Sequence, residues 1–316
     1  MEKNIAIIIL TCNQEELLKK CLISLKNNTN YKNYKVYVID DSGKDYLSKK
    51  TKNKFKWINF SANTSNLGYS NAINLGIKRV LKEYSPDYLL LLNDDMEFLE
   101  KDWLKKMVEV SESNEKIGIV CCKLIYPDGN LQWYYKNGKM HFERITKYTE
   151  ETEETFKIKE VEDVIGACIL IKKKVIDEIG LYDKGFSPLY GEDTDYCYRA
   201  GKKGFKLMYI GTTKVMHWNG SWIKGMKNKD AEKRKWFLQK KHAIRLEWLN
   251  FNVSNIIKYT IIHFGSIATR KDPLEGLKLL AVAYKENFKD LSEIRKKRGE
   301  RFSWKNSRSK VISSTI

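Results

Sequence analysis

A chain of 316 residues is too long for a minimal module and long enough for one large core, or one core with an appended part. Its 42% hydrophobic and 31% charged residues exclude a disordered chain, and no stretch approaches the roughly 20 apolar residues of a membrane span. The formal charge of +18 lies mostly near the end: residues 224–310 hold 23 Lys and Arg against 9 Asp and Glu. Such a region attracts polyanions such as anionic lipid or nucleic acid, and equally describes a solvated Lys-rich surface.

The first apolar run, residues 5–10, is too short for a signal-peptide core and leads into Thr11, Cys12 and Asn13, so it reads as a strand. Without a leader or a span, the protein is expected to stay in the cytosol. Residues 15–26 place Leu17, Leu18, Cys21, Leu22 and Leu25 at helical spacing, and residues 72–81 repeat that pattern before Pro86. Further strands are predicted at 35–39, 56–60 and 88–92. Strands alternating with helices predict a Rossmann-like, mostly parallel sheet flanked by helices. In open sheets of this kind ligands bind beyond the carboxyl ends of the strands, which here carry Thr11–Asn13, Asp40–Asp41 and Asn93–Asp95.

The acidic, Thr-rich residues 148–162 read as an exposed loop or hairpin. A strand is predicted at 164–171, a short helix at 174–179 and another helix at 195–203, ended by Gly204. Beyond about Gly225 the pattern is helical, aromatic and basic. Six cysteines occur, none in Cys-x-x-Cys spacing, so reduced and mostly buried thiols are expected.

Three groups of residues carry candidate chemistry. Asp94 and Asp95 follow the apolar run 88–92, and hard oxygen ligands at a strand end can hold Mg²⁺ or Mn²⁺; alone, the pair reads more readily as a turn or a helix N-cap. Glu192 and Asp193 stand near a predicted helix start, where the helix dipole favours an ionised carboxylate; first-turn capping explains them as well. Asp195 and Arg199, four apart, are suited to an ion pair along the helix. His217 closes a β-like run at 214–216 and could complete a cation site with Asp95, although a single histidine is more often an ordinary one. The small residues from Asn66 through Gly68 and Asn71 to Gly76 let backbone approach a ligand, and N–H groups at a helix start suit a diphosphate. This is neither the dinucleotide fingerprint nor a P-loop.

In order and spacing, these pieces resemble the inverting glycosyltransferase family 2, whose catalytic domain has the GT-A fold, from about Ile5 to Ser221. The Val38–Ser42 stretch, with Asp40 and Asp41, looks like that family's base-and-ribose-binding strand end, and Asn93–Asp95 stand where its metal-binding Asp-x-Asp belongs. The block from Gly166 through Gly180, Asp183 and Phe186 to Glu192 and Asp193 is similar to its acceptor-side segment. His217, Gly220 and Ser221 resemble the metal-binding histidine region. The resemblance implies a nucleotide-diphosphate sugar as donor, held with Mn²⁺ or Mg²⁺ by Asp95 and His217. Donor contacts fall to Thr11, Asn13, Asp40, Asp41, Asn66, Gly68, Asn71, Asn93 and Asp94. Asp193 is then the base, with Glu192 as its companion. Asn93 in place of the first acid, together with Asn66–Tyr69, is similar to the rhamnosyltransferase-like branch and raises dTDP-rhamnose beside a UDP-sugar.

The implied organisation is a catalytic domain over residues 1–225, with a nucleotide-sugar half to about 100 and an acceptor half from 101, then a basic helical extension over 226–316. The acceptor is expected to be a glycan or a lipid-linked glycan in cell-surface polysaccharide synthesis. The extension, with Ile257, Ile261, Ile262 and Phe264 in one helical stretch, suits an anionic membrane surface, the inner face of the cell membrane, and equally suits packing on the catalytic domain or a homodimer. A sugar-phosphate nucleotidyltransferase would want a glycine-rich basic loop after the first strand, where residues 9–13 offer none. No nucleic-acid-binding motif supports a nucleic-acid partner.

Overall fold

The computed structural model describes residues 2–132, 134–136, 139–141, 153–218, 229–268 and 270–304. The chain opens with β1 (Ile5–Thr11), α1 (Glu15–Asn27), β2 (Tyr34–Asp40), α2 (Lys49–Lys54), β3 (Ile58–Ala62), α3 (Tyr69–Glu83) and β4 (Tyr88–Asn93). Every strand expected in this stretch is present, with ends displaced by no more than two residues. The four strands pair in parallel in the order β3-β2-β1-β4. Their continuous apolar runs suit a sheet covered on both faces. In β1, Ile5, Ile7 and Ile9 join the core under α1, whereas Ala6 and Ile8 join the core under α3.

The helices follow from local signals. Leu18, Cys21, Leu22 and Leu25 form the buried stripe of α1, and Ile73, Ile77 and Val80 that of α3. Ser48 caps α2 by accepting the Thr51 N–H, and Asn74 fastens α3 to a later loop by exchanging hydrogen bonds with the backbone of Tyr182 at 2.8 and 2.9 Å.

The second half continues with β5 (Met96–Phe98), α4 (Trp103–Glu112), β6 (Ile117–Ile125), β7 (Tyr134–Lys136), β8 (Lys139–His141), α5 (Glu153–Phe156), β9 (Ile158–Val161), β10 (Cys168–Lys172) and α6 (Lys173–Ile179). A 3-10 turn at Lys184–Phe186 leads to α7 (Glu192–Lys202) and β11 (Lys206–His217). The sheet extends as β4-β10-β6-β11-β5, with β9 also on β11. β10 runs antiparallel between β4 and β6, so β6 and its parallel neighbour β11 run in the direction of β4. The carboxyl ends of β1, β2, β4 and β11 and the amino end of β10 therefore share one edge.

Three expectations are corrected here. The strand expected over 164–171 begins only at Cys168, because residues 162–167 form the loop that reaches the candidate site. The helix expected from Asp195 begins at Glu192, and the β-like run expected at 214–216 is the end of a twelve-residue strand. In the acidic segment, residues 148–152 lie outside the described residues, and the remainder forms α5 and the edge strand β9. Gly220 and Ser221 also lie outside them. All six cysteines are free; Cys12 is half-buried and the others are buried.

Among the described residues four helices follow: α8 (Lys229–Asn250), α9 (Val253–Ala268), α10 (Pro273–Lys289) and α11 (Leu291–Ser303). Asp272 caps α10 ahead of Pro273, accepting the Glu275 N–H at 2.9 Å. These helices pack onto the preceding fold through Phe186, Leu246, Leu249 and Ile294. Among the described residues no helix is long and apolar enough to cross a membrane.

Candidate active site

At the shared edge, Thr11 ends β1 and its hydroxyl donates to Asp94 Oδ2 at 2.6 Å. The Tyr46 hydroxyl lies 2.7 Å from the Thr11 oxygen and accepts the Gln14 N–H, so β1, the loop after β2 and the turn after β4 are tied together. Asp40 and Asp41 are both buried, and their oxygens are engaged by the protein itself. Asp40 accepts the N–H groups of Ser42 and Tyr46 at 2.8 and 2.9 Å. Asp41 accepts Asn63 Nδ2 at 2.8 Å and the N–H groups of Leu67 and Gly68 at 3.1 Å. Their geometry shapes the loops at this edge, where exposed Asn13 and Asn66 each donate a side-chain N–H to the Cys12 thiol, at 3.7 and 3.4 Å. Asn71 Nδ2 caps the Leu67 carbonyl at 3.1 Å and steadies the same loop.

Gly68, at φ 75°, approaches the later loop so closely that a Cβ there would lie 2.4 Å from Ser187 Oγ and 2.7 Å from Pro188 Cα. The next residue continues the contact, its N–H meeting the Pro188 carbonyl at 2.7 Å. Glycine is required by both the left-handed backbone and the lack of space.

Asp94 and Asp95 occupy the turn between β4 and β5, each 7% exposed. Burial, and then the neighbouring Asp95 charge, pushes the Asp94 carboxyl up to about 7, against the Thr11 hydrogen bond that lowers it. His217 ends β11 opposite Met96, with Nε2 3.1 Å from Asp95 Oδ1 and 3.3 Å from Asn93 Nδ2. Its other ring nitrogen lies 2.8 Å from Gln132 Oε1, so Nδ1 donates there and Nε2 is the nitrogen turned toward Asp95. A lone pair beside a carboxylate is a donor set a divalent ion fits, with further ligands from phosphate oxygens and water. No ready cluster of three His, Cys, Asp or Glu ligands exists among the described residues.

Glu192 and Asp193 open α7 behind Gly191, whose φ of 85° turns the chain into the helix. Asp193 Oδ2 accepts the Gly166 N–H at 2.9 Å, and the adjacent Ala167 carbonyl accepts the Asn93 N–H at 3.0 Å. Two consecutive residues thus join Asp193 to the strand end that carries Asp94 and Asp95. Asp193 Oδ1 and Glu192 Oε2 are buried without a hydrogen-bond partner, a costly state unless a ligand donates to them. Burial, then the Asp163 charge, raises the Asp193 carboxyl to about 7, and burial beside Asp193 raises Glu192 well above the carboxylate range. Glu192 therefore holds its proton while Asp193 titrates near neutrality.

The structure thus gathers Thr11, Asn93, Asp94, Asp95, His217, Glu192 and Asp193 along one edge, with the 66–71 loop beside them. Gln132, Asp163 and Tyr46 were missed by sequence reasoning, because each acts through a fold-dependent contact and none belongs to a motif; Gly166 was read only as the start of the block that ends at Asp193. At Gly166 a Cβ would fall 2.3 and 2.4 Å from the two Asp193 carboxylate oxygens. Gly166→Ala is accordingly expected to displace the carboxylate and lower turnover by about tenfold or more with donor binding retained, which steady-state kinetics beside a donor titration would check.

The profile of glycosyl transferase family 2 matches residues 6–180. Among characterised proteins, the chain is 26% identical over 152 residues to the O-antigen biosynthesis protein RfbC of Myxococcus xanthus, covering 43% of this chain and 11% of that protein. It is 22% identical over 232 residues to the low-salt glycan biosynthesis hexosyltransferase Agl10 of Haloferax volcanii, covering 69% and 68%. Among solved structures, GalNAc-T7 with UDP, GalNAc and Mn²⁺ superposes with a TM-score of 0.61 at 16% identity, covering 92% of this chain and 58% of that one. The mannosyltransferase PcManGT of Pyrobaculum calidifontis, with GDP-Man and Mn²⁺, gives 0.53 at 12% identity, covering 96% and 75%. Both likenesses show the GT-A fold that the sequence led us to expect. By the match of its profile across more than half of the residues, the chain belongs to glycosyl transferase family 2.

Proposed function

We propose that this glycosyltransferase moves a sugar from a nucleotide-diphosphate donor to an acceptor hydroxyl with inversion, in the synthesis of a cell-surface glycan. The observation that carries the reading is the Gly166–Ala167 link, which holds an orphaned carboxylate, Asp193, beside the Asn93–Asp95 turn. The presence of a nucleotide or nucleotide sugar with Mn²⁺ in both structural neighbours supports the donor class. The glycan-synthesis names of the relatives support the setting.

Asp193 accepts the proton of the acceptor hydroxyl as that oxygen attacks the anomeric carbon, and the bond to the nucleotide diphosphate breaks on the opposite face. Glu192, protonated, orients the acceptor or Asp193. Asp95 and His217 would hold Mn²⁺ or Mg²⁺, an ion that would supply positive charge to screen the diphosphate and stabilise the leaving group. Asp40 and Asp41 fix the loops that receive base and ribose, Asp41 by taking the N–H groups of Leu67 and Gly68, while Asn71 steadies that loop and Asn13 and Asn66 face the donor. Residues 1–225 form the catalytic domain and 226–316 the extension. Incubation with a panel including dTDP-rhamnose, UDP-sugars and GDP-mannose tests the class: nucleotide diphosphate release from at least one is expected, and release from none removes the reading.

The extension also offers a membrane contact. Val253, Ile257 and Ile261, spaced four apart on α9, are 67%, 57% and 67% exposed, and exposed Lys258, Lys271 and Lys278 lie on or near this region. Apolar side chains with a cationic rim suit the interface of an anionic bilayer, where a lipid-linked acceptor would reside. Sedimentation with anionic vesicles is expected to carry the protein down at low salt and to release it as salt rises; no binding at low salt removes the contact.

A further inference from the structure

The segment between Asp183 and Asp195 carries the Glu192–Asp193 pair and is anchored at both ends by buried carboxylates. Asp183 caps the 3-10 turn by accepting the Gly185 N–H at 2.9 Å, and Asp195, fully buried, sits in the first turn of α7 two residues after Asp193. Between them Tyr190 and Gly191 adopt φ of 79° and 85°, two successive left-handed conformations immediately before Glu192. A tyrosine holds that conformation only where its surroundings over-determine it.

The anchors are supplied from the end of the chain. Arg301 on α11 is 5% exposed and donates through Nη1 to Asp195 Oδ1 and through Nη2 to Asp195 Oδ2 at 3.2 Å. The same Nη2 lies 3.4 Å from Asp183 Oδ2, so one guanidinium spans both ends of the segment. Asn250 at the end of α8 completes the site, donating to Asp195 Oδ1 at 3.0 Å and accepting Arg301 Nη1 at 2.8 Å. Arg245 and Lys297 add contacts to Asp183 at 3.0 and 2.8 Å. Midway, His242 Nδ1 donates to the Leu189 carbonyl at 2.8 Å, and burial, then the nearby Lys241 charge, lowers this imidazole to about 4, keeping it a neutral donor. A planar fork of five donors can bridge two carboxylates in a way an ammonium cannot.

We propose that Arg301 is a positioning residue for transfer: by joining Asp183 to Asp195 it fixes the segment that presents Glu192 and Asp193 to the acceptor. Part of the basic C-terminal charge is thereby an internal component of the acceptor site. This rests on the transferase reading given above.

The test uses the full chain with an active sugar nucleotide. Arg301→Lys is expected to lower kcat by about tenfold or more with the donor KM within about twofold, because a small displacement of the base costs rate without touching the donor loops. The acid limb of the pH profile is expected to move below its wild-type position. Asp193 is faced by Glu192, Asp163, Tyr69, Tyr182 and Cys197, none of them cationic, so a loosened carboxylate gains water and ionises more readily. Arg298→Ala is the control. It removes the hydrogen bond from α11 to the Trp248 carbonyl without touching either anchor, and should lower Tm while leaving kcat and the pH limb in place.

An unchanged kcat and pH limb in folded Arg301→Lys overturns the proposal, as does an equal loss in Arg298→Ala. Should Arg301→Lys not fold, Asn250→Ala gives the same reading through a milder lesion: a kcat loss with the same pH movement supports the staple, and no change overturns it. A wild-type chain that releases no nucleotide diphosphate from any donor instead removes the transferase reading, and this proposal with it.

Discussion

Asp193→Asn is expected to lower sugar transfer by about 10²-fold or more while leaving donor affinity near that of the unaltered protein. The substitution keeps the side-chain shape and its acceptor oxygen for the Gly166 N–H, and removes the ability to take a proton. The wild-type pH profile carries the complementary result. With the carboxyl raised to about 7 by burial and by Asp163, the base is protonated and inactive below neutrality. The rate should rise tenfold per pH unit on the acid side and level off above about 7. Stability runs the other way. A carboxyl whose folded value is raised contributes stability at low pH, below its ordinary value, and that contribution is lost as pH rises through about 7. Asp193→Asn, which stays neutral, should therefore unfold no earlier than the wild type above pH 7, so a thermal melt separates loss of chemistry from loss of fold. Normal turnover in this variant would falsify the base assignment.

The first half of the chain was legible because its strands are short apolar runs ended by polar clusters, and the edge they share follows from parallel pairing alone. What escaped was the centre of the sheet. β6 buries all nine of its residues and even contains Lys123, so it shows no alternation, and a short apolar run of that kind does not distinguish strand from helix. The Glu192–Asp193 edge was legible as a pair of acids but not as a geometry. Gly166 was marked as the start of the block, but its contact with Asp193 exists only once the antiparallel entry of β10 brings the two together. Gln132 matters only once β11 has carried His217 to within 2.8 Å of it. Asp195 was read as a partner for Arg199, and that pair forms at 2.9 Å, but Arg301 and Asn250 come from more than fifty residues away. The same distance effect divides the basic region: Arg245 and Arg301 are buried against Asp183 and Asp195, whereas Lys258, Lys271 and Lys278 remain outside. Composition counts these cations alike, and only packing separates them.

Chelation with EDTA is expected to abolish transfer, and Mn²⁺ or Mg²⁺ to restore it. Asp94 and Asp95 are adjacent carboxylates, each 7% exposed, with no Lys or Arg ion pair among the described residues, and leaving two such charges uncompensated is expensive. His217 adds a ring nitrogen 3.1 Å from Asp95 Oδ1, where a proton on Nε2 joins the two without metal and two ligand bonds of about 2.1 Å would join them through it. The separating measurement is metal titration of Gln132→Leu. Gln132 is buried and touches His217 at both Nδ1 and the backbone carbonyl, so its loss should free the ring to rotate and to change tautomer. Half-saturating metal is then expected to rise about 10- to 100-fold while the rate at saturating metal recovers, the pattern of a residue that orients a ligand. His217→Ala should need still more metal and recover less. Full activity of the wild type in chelator, or a Gln132→Leu titration superposing on that of the wild type, would take the ion away from Asp95 and His217 and leave their contact a structural hydrogen bond.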